Sequence, residues 1–134
     1  MKKKTKVWLI VLGVVLLCGI ALGIRWMAGG IVLPGATKMP DDPSPYTEED
    51  IEAAMRVATD YFGDFRRSIM VELEYSKEWT EREQSYRSET EGFEGDVIVL
   101  KCKYLNNTRM KEGFSWIIVR ENDGEWRHLT HGYG

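Results

Sequence analysis

Cysteine is nearly absent from this 134-residue chain: there are two, Cys18 and Cys102. Cys18 lies inside a long apolar run, so Cys102 is the one thiol outside it. No disulfide can form within the part that follows, and its fold must rest on packing. Proline is equally confined. All four prolines fall between Pro34 and Pro45, so nothing beyond them interrupts helices or strands. Histidine is limited to His128 and His131. Neither a Cys-x-x-Cys nor a His-Glu-x-x-His spacing occurs, and no Gly-x-Ser-x-Gly elbow is present. The usual signatures of zinc sites and of serine hydrolases are therefore missing.

The run itself is Val7 to Ile24, eighteen uncharged residues preceded by Lys2, Lys3, Lys4 and Lys6. As a helix it would cover roughly 27 Å, close to the ~30 Å hydrocarbon core of a bilayer. Arg25 and Trp26 follow at the point where a membrane–water interface would lie. Three readings compete. A cleaved signal peptide would use Ala21-Leu22-Gly23 as a small-x-small site, yet the run is long for an h-region and continues through that site. A lipoprotein would acylate Cys18, yet Leu17 stands where a small residue belongs. Length and flanks favour an uncleaved signal anchor, with residues 1–6 cytoplasmic and everything after Ile24 extracytoplasmic. Gly19 and Gly23 form one Gly-xxx-Gly pair, a weak signal for helix association.

Four of the 18 basic residues precede the run, which leaves 14 against 21 acids from Arg25 onward, a net charge of −7. An acidic exported part argues against nucleic acid as a partner. Residues 25–46 contain Gly29-Gly30, Pro34-Gly35, Pro40, Pro43 and Pro45 and read as a poorly ordered tether. Extended, it would hold a domain tens of ångströms off the bilayer, at ~3.1 Å per residue.

The domain proper spans 47–134. Thr47-Glu48-Glu49-Asp50 is a capping-box start, and Ile51, Ala54, Met55, Ala58, Tyr61, Phe62 and Phe65 recur at three and four to define one helical face. Ile69 to Tyr75 then alternates as a half-buried strand. Residues 77–95 are polar, with Trp79, Tyr86 and Phe93 as the large apolar residues. They are open to a short strand, a helical turn or a flap. Asp96 to Leu105 is a strand whose Val97–Leu100 portion predicts burial on both faces. Asn106-Asn107-Thr108 fits a turn. Phe114–Arg120 and Trp126–Tyr133 read as a hairpin around Glu121–Glu125, closed by a type I turn with Gly124 as the bulge. That register pairs Ile117 with Leu129 and Ile118 with His128. It puts Trp116, Trp126 and His128 on one sheet face, away from Ile117, Val119 and Leu129. His128 and His131, three apart in a strand, would face opposite sides.

The whole is α+β: a transmembrane helix, then one amphipathic helix on an antiparallel sheet of about four strands. The segments YTEEDIEAAMRVATDYF, DVIVLKCKYL and FSWIIVRENDGEWRHLTHGYG resemble an uncharacterised family of small extracytoplasmic proteins of Gram-positive, largely gut-dwelling anaerobes. The resemblance covers nearly the whole domain and none of the anchor, and it implies no assigned activity; no cofactor is expected. The element order also resembles the cystatin-like and NTF2-like rolls, a superfamily whose fold does not select a function.

No catalytic, cofactor or metal residues are assigned. The Trp116, Trp126 and His128 face is the candidate interaction surface, for an envelope protein, a glycan or a second copy of the chain. Equally, the acidic segment and chain ends could close over it as a second small core, and the pattern does not decide which face the helix takes. The expected function is a membrane-anchored binding or interaction module. The alternative is a small-ligand-binding or hydrolytic NTF2-like domain, which would need an enclosed pocket between helix and sheet.

Overall fold

The computed structural model describes residues 2–133. Helix α1 runs Lys2–Ala28 without a buried residue, and it is long and apolar enough to cross a membrane, with a mean hydropathy of 2.9 in its best window. A signal sequence meets the same criteria of length and apolarity.

After α1 come two-residue strands β1 (Ile31–Val32) and β2 (Thr37–Lys38), helix α2 (Glu48–Phe62), β3 (Ser68–Tyr75), helix α3 (Lys77–Glu91), β4 (Asp96–Asn106), β5 (Arg109–Arg120) and β6 (Arg127–Tyr133). The sheet has six strands, not four. Strands β3 to β6 form an antiparallel meander, and β1 and β2 add in parallel to the outer edge of β3. The extra strands come from residues 25–46, read from sequence as a loose tether. They are docked instead: Leu33 N–H donates to Met70 C=O at 3.1 Å, Leu73 N–H donates to Ala36 C=O at 2.8 Å, and Ala36 is buried.

Helix α2 begins on the predicted capping box. Asp50 N–H donates to Thr47 Oγ1 and Thr47 N–H donates to Asp50 Oδ2, at 3.2 and 3.3 Å. Its buried stripe is Ile51, Ala54, Met55, Ala58 and Phe62. The stripe meets Met70 and Leu73 of β3, Ile98, Leu100 and Cys102 of β4, and Phe114, Trp116 and Ile118 of β5. Each large apolar side chain sealed there contributes on the order of 1.5–3 kcal/mol.

The second helix, α3, occupies the stretch left open by the sequence. Ser76 Oγ caps its start by accepting from Trp79 N–H, and Gly92, at φ 66, ends it in the left-handed conformation. It carries no apolar stripe. Glu78–Arg82, Glu83–Arg87 and Arg87–Glu91 pair at i,i+4, each worth ~0.2–0.5 kcal/mol to the helix. What fixes α3 in place is β4. The register ends at Tyr75 opposite Leu100, so Asp96–Val99 extends beyond β3 with one edge unpaired. The side chains of α3 fill that edge. Val99 N–H donates to Thr80 Oγ1 at 2.9 Å, Val97 N–H donates to Gln84 Oε1 at 3.1 Å, and Gln84 Nε2 donates to Gly95 C=O at 3.0 Å. Ser76 N–H donates to Val99 C=O, completing the substitute ladder.

Replacing Thr80 by Val keeps the shape and removes the acceptor, leaving the Val99 amide buried and unpaired. That costs about 1–3 kcal/mol. Denaturant unfolding of the detergent-solubilised chain should show this loss for Thr80→Val and most of it regained in Thr80→Ser. A Thr80→Val midpoint equal to that of the parent would show that the ladder is not what holds β4.

Candidate binding face

The structure puts the predicted interaction face under α2. Trp116 is fully buried, with Phe65 and Phe114 rings at 5.4 and 5.5 Å and Tyr61 edge-on at 6.1 Å. The choice of face by α2 has a simple cause. The even positions of β4, opposite Ile118, Trp116 and Phe114, are Ile98, Leu100 and Cys102, whereas the odd positions run into Lys101 and Lys103. An apolar helix stripe takes the face free of charge. The Cys102 thiol sits in this core, and burial pushes its pKa up to about 11, so it is unreactive.

Trp126 lies before the first paired residue of β6 and is half-buried. Its ring carries the Arg120 guanidinium at 4.4 Å and meets Tyr46 edge-on at 5.5 Å. Arg120 in turn donates to Asp96 Oδ2 at 3.0 and 2.8 Å and to Asp50 Oδ1 at 3.0 Å. This node ties the start of α2 to β4 and β5, with one guanidinium shared between two carboxylates. Trp126 therefore reads as a cover for an ion cluster.

His128 stands opposite Ile118, as predicted, but Ile117 pairs with Thr130 and not Leu129. Leu129 is the extra residue of a β-bulge. The bulge resets the alternation, so His131 falls opposite Trp116, on the same face as His128. The two rings join, Nε2 of His128 to Nδ1 of His131 at 2.8 Å. Tyr61 stacks on His128 at 3.9 Å between centroids, and Trp116 lies 4.9 Å from His131. One ring must donate and the other accept, so at least one imidazole is neutral. Burial lowers both pKa values, and His131 lowers that of His128 further. Among the described residues no three His, Cys, Asp or Glu side chains gather as a metal-binding group.

The hairpin turn also differs from the predicted form. Glu121 C=O accepts from Gly124 N–H at 2.9 Å, and the left-handed residues are Asn122 and Asp123, at φ 51 and 54. Two successive positive φ values make a type I′ turn, whose twist suits a hairpin.

The opposite sheet face is only half covered. Trp79 of α3, with Phe93, packs on Val97, Val99 and Val119. Beyond Trp79 the face is open, forming a trough of about 420 Å³. Its floor is a set of cross-strand partners: Glu72 opposite Lys103, and Glu74, Lys101 and Ser115 in one row. Gly113 and Glu112 form the far wall. Trp79 is the near wall, with the Arg82 guanidinium 4.7 Å and the Lys101 ammonium 5.5 Å from its ring centre. Glu72 bridges Lys38 and Lys103 at 3.8 and 4.0 Å. Ion pairs this exposed are worth only ~0–1 kcal/mol, so both signs of charge can be redirected to a partner. Sequence reading passed over this face because its charged residues alternate with apolar ones along each strand, as in any strand with one solvated side. The signal was Trp79, a lone large ring at the start of a polar helix.

The histidine pair makes a pH prediction. Both folded pKa values lie below the ordinary 6.5, so between the two states the unfolded chain binds more protons. Stability from this pair is complete above pH 6.5 and lost as pH falls through the folded values. The melting temperature of the solubilised chain should decline between pH 7 and pH 5, and His128→Gln with His131→Gln should flatten that decline. An unchanged slope in the double variant would remove the pair as its source.

No family model, no curated protein and no solved structure matches this chain.

Proposed function

We propose that the protein is a single-pass membrane protein whose N-terminus is cytoplasmic and whose α+β domain is an extracytoplasmic binding or protein-interaction module. The lysines before Val7 support the orientation. The observation that carries the binding reading is the open half of the sheet face, where Trp79 and paired charges line a shallow trough. Alternating donors and acceptors beside a flat aromatic wall suit a polar, extended partner such as a polypeptide of the cell envelope. The kinship with small extracytoplasmic proteins of Gram-positive gut anaerobes belongs to the same reading and rests on the three domain segments. So does the cystatin-like or NTF2-like roll, which rests on the order of elements read from the sequence alone.

The alternative, a ligand-binding or hydrolytic roll, asks for a cavity between α2 and the sheet. Phe62, Ile51, Met70, Leu73 and Trp116 fill the space under α2, each at 0% exposure, and what remains between α2 and strands β1 and β2 is an open groove of about 690 Å³, not an enclosed cavity. The interaction reading is the better supported.

A photo-crosslinking residue at Ser115, in cells producing the full chain, should give a discrete adduct that Trp79→Ala or Lys101→Glu abolishes. An impermeant thiol reagent should label Asn122→Cys from outside intact cells. Adducts unaffected by either substitution would take the partner off this face. Labelling only after lysis would reverse the orientation.

A further inference from the structure

The junction between α1 and the domain places one end of the domain against the membrane. Ile24 closes the apolar run, and Trp26 lies two residues on, about 3 Å further along the helix axis. The Trp26 carbonyl accepts from Arg67 N–H at 2.9 Å, and the Arg67 carbonyl accepts from Asn107 N–H at 2.9 Å. Two successive hydrogen bonds thus tie the start of β3 and the β4–β5 hairpin tip to the helix where it leaves the apolar run. Gly29 and Gly30 lock the same junction. Both are buried, and a Cβ on Gly30 would lie 2.1 Å from the Phe62 carbonyl oxygen. Backbone bonded this near the hydrocarbon boundary lies within or beside the headgroup layer, which is only some 5–8 Å deep per leaflet.

The charge at this end is opposite to that of the domain. Arg25, Arg66, Arg67 and Arg109 are exposed there and Lys111 is half-exposed, with Asp60, Asp64 and Glu112 as the neighbouring acids. Met110, 48% exposed, projects from the same tip. The other end of β5 lies about 37 Å away at ~3.4 Å per residue, and there Glu121, Asp123 and Glu125 follow one another within five residues. A domain of net charge −7 therefore turns a basic rim to the surface from which its anchor emerges.

We infer that this rim is a lipid-binding surface. Arg66, Arg67 and the Arg109–Lys111 tip dock on anionic phospholipid headgroups of the leaflet that α1 leaves, with Met110 and Trp26 at the interface. The inference rests on α1 remaining as an embedded span, as proposed above. It fixes the domain upright, with the acidic end outermost and the Trp79 trough facing along the membrane and not into it.

The test uses the full chain with Cys18→Ala and a spin label on Met110→Cys, reconstituted in phosphatidylcholine vesicles with or without one-third phosphatidylglycerol. The readout is collision with a water-soluble nickel chelate relative to oxygen. A label on Asn122→Cys is the control for the far end. The label at 110 should be shielded with phosphatidylglycerol and exposed without it or in molar salt, while the label at 122 stays exposed throughout. Arg66→Glu and Arg109→Glu should each lower the ratio of docked to free tips at least about fivefold. Equal shielding in both lipids would show that headgroup charge is not the ligand, and exposure in both would show no docking; either overturns the inference. Carbonate extraction separates the two premises. Protein released by carbonate sinks the span and the docking with it, whereas protein retained with an exposed tip sinks the docking alone.

Discussion

The unpaired edge of β4 is the constraint from which most of the domain follows. Strand β4 is eleven residues long and its inner neighbour β3 is eight. The excess, Asp96–Val99, is also the most apolar part of the sheet, with Val97, Ile98 and Val99 at or below 3% exposure. Buried amides without acceptors would cost about 1–3 kcal/mol each. The chain meets this with side chains. Thr80 and Gln84, one turn apart on α3, present acceptors at the spacing of alternate strand amides, and Tyr46 OH supplies a further acceptor for Val97 N–H at 3.1 Å. A helix with no apolar stripe is thereby held in place by its hydroxyl and amide groups. Covering the edge also removes a template for pairing with other chains.

The position of α3 then decides what remains open. Because it is tethered to the first residues of β4, it shields Val97, Val99 and Val119 and stops at Trp79. Past that ring the outward positions change from valine to lysine, glutamate and serine. The trough is thus the part of the sheet that neither helix can cover. Its polarity lets it stay exposed, and its mixed charge lets it exchange weak internal ion pairs for those of a partner.

Much of this was legible in the sequence. The capping box at Thr47, most of the apolar stripe of α2 and the doubly buried start of β4 are local patterns, and the structure contains them; the alternation of β3 is broken by a bulge at Val71 that turns Met70 into the core, Tyr61 is exposed, and Phe65 lies past the end of α2. The features that escaped are non-local. Strands β1 and β2 are two residues each, and they exist because β3 offers a free edge, not because Ile31-Val32 or Thr37-Lys38 carry a strand signal. Helix α3 hides because its stabilising contacts are hydrogen bonds to another segment. The bulge at Leu129 depends on the fit of β6 against β5, and one inserted residue was enough to bring His131 beside His128. Trp116 was assigned correctly to a face with Ile118 and His128. Which face was buried depended on the charges of β4, two strands of context that a hairpin register does not contain.

Residues rich in glycine and proline read as flexible when their neighbours are unknown. Here the glycines admit backbone contact and the short apolar pair joins a sheet. Gly30 N–H donates to Gly63 C=O at 3.1 Å, where a side chain on either Gly29 or Gly30 would collide with the backbone of Phe62 or Gly63. Arg67, at φ 57, adopts the left-handed conformation that L-residues avoid, at a cost of roughly 1–2 kcal/mol. Its amide and carbonyl each gain a backbone partner, Trp26 and Asn107, which offsets that cost. A strained residue fixed between the end of α1 and the hairpin tip makes the junction a joint of defined geometry. The start of the domain is therefore fixed relative to the end of α1 by backbone contacts of its own chain.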